Sequence, residues 1–172
     1  MGAMYLIGWI SIRVTLAYVY LYALYLNTHD EAARMWLITH TAYLFPGLPE
    51  PRRTLLAKIF AIIGMLMMLF GGLSILFGAE PRAGAFLLLV FTAGGIYQHR
   101  REREVAMETA AKAEPFVQPQ GKADFSTLQW SAYAGQLSSG LKNWALCGVC
   151  TAIIGLPTGP LTISDKIASF FS

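Results

Sequence analysis

KIFAIIGMLMMLFGGLSILFGAEPRAGAFLLLVFTAGGIYQH, residues 58–99, decides the fold. Ile59 to Phe77 carries no charge. With Leu55 to Ala57 in front, the run reaches the roughly 20 apolar residues a helix needs to cross a bilayer at about 1.5 Å per residue. Gly78-Ala79-Glu80-Pro81-Arg82 is then a tight polar turn whose Gly and Pro stop that helix. Ala83 to Tyr97 is again uncharged and ends abruptly in His99-Arg100-Arg101-Glu102-Arg103. Buried hairpins of soluble proteins nearly always keep a polar face, and neither run has one. The stretch reads as a membrane hairpin. Gly64, Gly71 and Gly78 recur every seventh residue, which puts them on one seam where a neighbouring backbone can approach closely.

Composition agrees with that assignment. Of the 172 residues, 55% are apolar and only 13% charged, against about 25% charged in ordinary soluble chains. The net charge of +3 is small, and no basic patch is interleaved with stacking aromatics as a nucleic-acid groove requires. Two cysteines three residues apart make no disulfide framework.

Upstream, residues 4–26 form the first expected span, apolar except for Arg13. The run is too long, and lacks the basic start and small-residue site, for a cleavable signal peptide. Tyr18, Tyr20, Tyr22 and Tyr25 gather toward its far end, as in a headgroup belt. Thr28 and Glu31 have capping-box spacing and predict a second helix over residues 29–45, too short to span, lying in the membrane interface. Pro46-Gly47 stops it. The hairpin then gives the spans 55–77 and 83–98.

Downstream, residues 100–126 read as a polar connection. Its first part continues the helix to Ala113 with Arg100–Glu104 and Glu108–Lys112 spaced to pair, and Pro115, Pro119 and Gly121 break the rest. Ser126 and Gln129 predict the start of a last span over residues 127–156. Along it Ser131, Gly135, Ser139, Asn143, Cys147, Thr151 and Gly155 recur at every fourth position. Small and polar side chains in such a row let membrane helices pack, but the row winds slowly, so one partner cannot cover all of it. An amphipathic tail, residues 164–172, follows.

Gly71-Gly72-Leu73, Gly78, Pro81-Arg82-Ala83 and His99, with the Gly159-Pro160 turn and Ser164-Asp165, together resemble the DoxX-like membrane proteins. The chain departs from that pattern at Met68, where many members carry an acid, and in the direct Ser164-Asp165 junction. The resemblance implies an all-α, integral membrane four-helix bundle, here with an additional interfacial helix. It also implies membership of a group linked to membrane oxidoreductases, one relative being a subunit of a thiosulfate:quinone oxidoreductase. An arginine early in the first helix is part of the same pattern.

Few residues can carry chemistry. Intramembrane charges are costly and face a partner, an interior or a ligand, unless they snorkel to the headgroups. Arg13 and Lys142 are the two such charges. With Asn143 they are the candidate ligand site, at depths that differ by about 6 Å if both spans end in one plane. Cys147-Gly148-Val149-Cys150 has redox spacing, but inside an apolar helix thiols are inert and small enough for packing. His29, His40 and His99 have no metal-ligand spacing. The resulting expectation is a non-catalytic subunit or anchor of a membrane oxidoreductase complex, without a metal, in the cell (inner) membrane. A quinone-interacting subunit is the alternative, with quinone the one cofactor in view, and a small transporter is a third reading that lacks internal repeats. Expected partners are the lipid bilayer and other subunits or further copies of the chain.

Overall fold

The computed structural model describes residues 3–155, and all of its regular structure is helical. Five α-helices follow one another: α1 (Ala3–His29), α2 (Glu31–Thr41), α3 (Glu50–Phe77), α4 (Pro81–Ala113) and α5 (Lys122–Gly155). Short 3-10 turns lie at Ala42–Leu44, Glu114–Phe116 and Pro119–Gly121. The expected tail over residues 164–172 lies outside the described residues. Three stretches are long and apolar enough to cross a membrane: Leu6–His29, Glu50–Phe77 and Pro119–Gly155. Only 28%, 28% and 17% of their most apolar windows are buried within the protein. Apolar side chains therefore cover the outside of these helices, the arrangement that suits a lipid bilayer.

The expected third span is not among them. Its helix, α4, has an apolar run only from Ala83 to Tyr97, with Arg82 before it and charges after it. α4 nevertheless has α3 on one side and α5 along its other. α5 is antiparallel to α4: Asn143 lies beside Gly95, Gln136 beside His99, and Tyr133 beside Arg103. α1 packs on α3, with Leu21 against Gly72, and reaches α4 through Tyr20 and Thr92. Ser11, Thr15 and Val19 of α1 face Leu146 and Val149 of α5 across a shallow groove.

Glycine sets the spacing of α3 and α4. A Cβ on Gly84 would lie 2.9 Å from the Gly71 carbonyl, and one on Gly71 would lie 3.0 Å from the Gly84 carbonyl. The two backbones meet where neither residue has a side chain. Gly64 is covered by the Phe91 ring, and Gly78 ends α3 in the left-handed region at φ 71°. Glu80 also has positive φ, 55°, a conformation that costs a side-chain-bearing residue roughly 1 kcal/mol or more. The Ser74 hydroxyl holds this turn through the carbonyls of Ala79 and Glu80.

Two expected helix starts are corrected. Asp30, not Thr28, caps α2, its carboxylate accepting from the Ala32 and Ala33 amides at 2.8 and 3.2 Å. α1 runs on to His29, so the Thr28 hydroxyl is still helical and donates back to the Leu24 and Tyr25 carbonyls. α5 opens at Lys122, because the Pro119–Gly121 turn leads straight into it, and Ser126 lies inside the helix. Within the expected connection, α4 does continue to Ala113 and Arg100 does pair with Glu104 at 3.2 Å.

Gly84→Ala should lower stability in detergent by about 1–3 kcal/mol, since its methyl meets backbone that cannot move aside. Gly135→Ala, with nothing within 4 Å of its new carbon, should leave the melting midpoint unchanged or raise it slightly, because alanine is the better helix former. Equal midpoints for the two variants would show that the α3–α4 backbone contact does not set the fold.

Candidate functional site

Arg13 is the charge placed deepest among apolar helices, and it is 6% exposed. Its Nε donates to the Ile75 carbonyl at 2.7 Å and its terminal nitrogen to the Leu76 carbonyl at 2.9 Å. Both acceptors belong to the last turn of α3, whose final four carbonyls have no intrahelical donors. A cation there also meets the negative end of the helix dipole. Arg13 thus works as a side-chain cap supplied by a neighbouring helix.

The other members of the expected ligand site stand elsewhere. Lys142 is exposed, and Asn143 is half-buried against Gly95, fourteen residues into α4 from Pro81. Arg13 reaches toward the α3–α4 turn instead, which separates the polar heads by on the order of 15–20 Å along the bundle. Depth counted between Cα positions leaves out that direction of reach.

The four-residue row on α5 turns as its period requires. Asn143 stands against Gly95, Cys147 is buried and Ser139 is half-buried, whereas Ser131, Gly135, Thr151 and Gly155 are exposed. Cys147 and Cys150 are free and buried. Cys150 sits beside the Tyr20 hydroxyl, which lies 2.5 Å from Thr92 Oγ1. Thr92 in turn donates to the Leu88 carbonyl at 2.6 Å. Tyr20 is therefore a core residue, 3% exposed, and not part of an aromatic belt. Tyr18, Tyr22 and Tyr25 are exposed and stack in sequence along α1. A tyrosine between Ala17 and Leu21 on the apolar stripe could have been separated from them by helical spacing alone.

A second polar group lies where α4 passes its apolar run. Glu102 is 5% exposed; its Oε1 accepts from Gln98 at 2.8 Å, and its Oε2 is 3.5 Å from His99 Nδ1. His99 Nδ1 also lies 2.7 Å from Gln136 Oε1 and so joins α4 to α5. One helical turn further, the Arg103 guanidinium stands over the Tyr133 ring at 5.4 Å. Glu102 lines a cavity of about 430 Å³ with His40 and Tyr43 from the α2 region and Gln129 of α5. Reading residues 100–126 as a polar connection hid this carboxylate. The spacing of Glu102, four residues after Gln98 and three after His99 and so on their face of the helix, was the available signal.

The Glu102 carboxylate raises the His99 pKa above its ordinary 6.5, more than burial lowers it. Chemically the pair can hold and release a proton. Among the described residues no three His, Cys, Asp or Glu side chains gather as a metal site.

Because the folded-state value is raised, the His99 contribution to stability is complete below about pH 6.5 and is lost as pH rises through the raised value. The melting midpoint in detergent should fall over that interval in the native sequence, and Glu102→Gln should flatten the fall. Parallel pH profiles for the two proteins would exclude the pair as a contributor.

Comparison with protein-family models, with curated proteins and with solved structures finds no match to this chain.

Proposed function

We propose that this chain is a multi-pass membrane protein in which α1, α3, α4 and α5 cross the bilayer as a four-helix bundle. It serves as a non-catalytic subunit or anchor of a membrane oxidoreductase complex. Support for a fourth span comes from packing: α4 lies against α3 and α5, both of which contain apolar stretches of spanning length. A helix so placed travels through the membrane with its neighbours, and its short apolar run is helped by Tyr97 and the long basic side chains beyond it. The oxidoreductase link rests on the resemblance to the DoxX-like proteins.

The observation that carries the anchor reading is Arg13. Its guanidinium is bound to the carbonyls that end α3, so the intramembrane charge has a structural task. The quinone-handling alternative drew on Arg13, Lys142 and Asn143 meeting around a ligand, and their placement gives it no support. Arg13→Gln should therefore cost about 1–2 kcal/mol of stability while the protein remains in the membrane and keeps its partners in a mild-detergent pull-down. Loss of bound quinone or of electron flow in a well-assembled Arg13→Gln protein would overturn this reading.

Orientation follows from charge. Arg34, Arg52, Arg53, Lys58, Arg100, Arg101, Arg103, Lys112 and Lys122 belong to the end of the bundle formed by α2, the start of α3, the extension of α4 and the start of α5. Arg82 stands at the opposite turn, and Lys166, counted on that same side, lies outside the described residues. The positive-inside rule then places the basic end in the cytoplasm and both termini on the other side. A reporter fused after Ser172 should behave as external, and a cytoplasmic signal there would reverse the orientation.

A further inference from the structure

Two cavities follow one another along the α3–α4 groove, both flanked by the α2 region. The one toward the basic end has a volume of about 630 Å³ and is lined by Arg53, Lys58 and Arg101 against a single carboxylate, Glu50. The other has a volume of about 320 Å³ and is almost wholly apolar, with Ala61, Gly64, Gly94 and Gly95 between the Phe60 and Phe91 rings. They abut: Ala57 lines the first and Ala61, one helical turn on, the second. Their centres on α3 are about nine residues apart, roughly 14 Å, close to half the thickness of a bilayer's hydrocarbon core.

Three cations line the upper cavity, and with Glu50 and the Glu104 partner of Arg101 both counted the balance is still positive, which suits an anion. Arg53 pairs with Glu50, and Arg101 pairs with Glu104 at 2.5 Å. Each uses a terminal nitrogen for this, and the Nε of both is buried without a hydrogen-bond partner. An unpartnered buried donor costs roughly 1–3 kcal/mol, and a phosphate can take several guanidinium donors at once. The positive end of the α3 dipole lies beside Glu50 and adds to the attraction. A free anion would have no use for the apolar cavity below. Gly94 leaves that cavity open, since a Cβ there would meet nothing within 4 Å.

We propose that the paired cavities hold one anionic phospholipid of the surrounding membrane. Its phosphate lies against Arg53, Lys58 and Arg101, and one acyl chain lies in the slot beside Gly94. This goes beyond the anchor reading and does not depend on it. The lipid would tie α2 to the α3–α4 hairpin at the level where the membrane interface begins, as lipids with anionic heads do when basic pockets open between membrane helices.

The test uses the full chain, delipidated in mild detergent, with thermal unfolding as the readout. Dioleoylphosphatidylglycerol should raise the melting midpoint by about 4 °C or more. Dioleoylphosphatidylcholine, dihexanoylphosphatidylglycerol and inorganic phosphate should each raise it by less than half as much. Arg53→Gln with Arg101→Gln should weaken the phosphatidylglycerol response at least tenfold in apparent affinity. Gly94→Leu, which fills the slot without touching the cations, should remove the advantage of the long chain. Should the double arginine variant fail to fold, the Gly94→Leu comparison decides alone. Equal stabilisation by the phosphatidylcholine, by the short-chain lipid or by phosphate alone would overturn the proposal, as would an unchanged response in Gly94→Leu. Displacement of the long-chain phosphatidylglycerol by a quinone at comparable concentration would overturn it too.

Discussion

Where no water reaches, a helix end must find donors for its last carbonyls within the protein. The C-terminus of α3 shows how this chain does so. Gly78 turns left-handed and its amide donates to Ile75; Arg13 donates to Ile75 and Leu76; Ser74 holds the carbonyls of the turn itself. The Ile75 oxygen accepts twice, which its two lone pairs allow. Through this set, α1 is tied to the end of α3 at the point where α3 reverses into α4. The Arg13 guanidinium thus ties the first helix to the end of α3, beside the Leu21–Gly72 contact and the Tyr20–Thr92 bond further along.

Packing below that point is governed by size. Gly71 and Gly84 bring two backbones together, Gly72 receives Leu21, and Gly95 receives the Asn143 amide. With little hydrophobic drive between helices in lipid, such close fits and a few interhelical hydrogen bonds do the work of association. Tyr20 to Thr92 is one of those bonds, and His99 to Gln136 is another. The two buried thiols fit the same account, as small side chains in a crowded interior.

Toward the basic end the bundle changes character. Its helices run beyond the apolar region, and charge pairs such as Arg100–Glu104 appear on their surfaces. A buried carboxylate with a histidine, and a cation-lined cavity over an apolar one, sit at this transition. Exposed surface pairs add little to stability. The buried and unpartnered groups are the ones that make this level chemically distinct, because polar atoms taken from water demand partners.

From the sequence alone came the class of the protein, the hairpin over residues 58–99, the stop at Gly78 and the continuation of α4 to Ala113. Each follows from local causes: the length of an uncharged run, a left-handed glycine, the pairing of Arg100 with Glu104. Helix starts at Thr28 and Ser126 were misread because capping spacing is also met inside a helix, where a hydroxyl can bond to the preceding turn. Only tertiary structure could decide what Arg13 binds, that Lys142 faces outward, and which helices lie opposite the faces that carry Tyr20 and Glu102. Those outcomes depend on which helix lies opposite and on the direction a long side chain reaches, and neither is encoded in the spacing of residues along one helix.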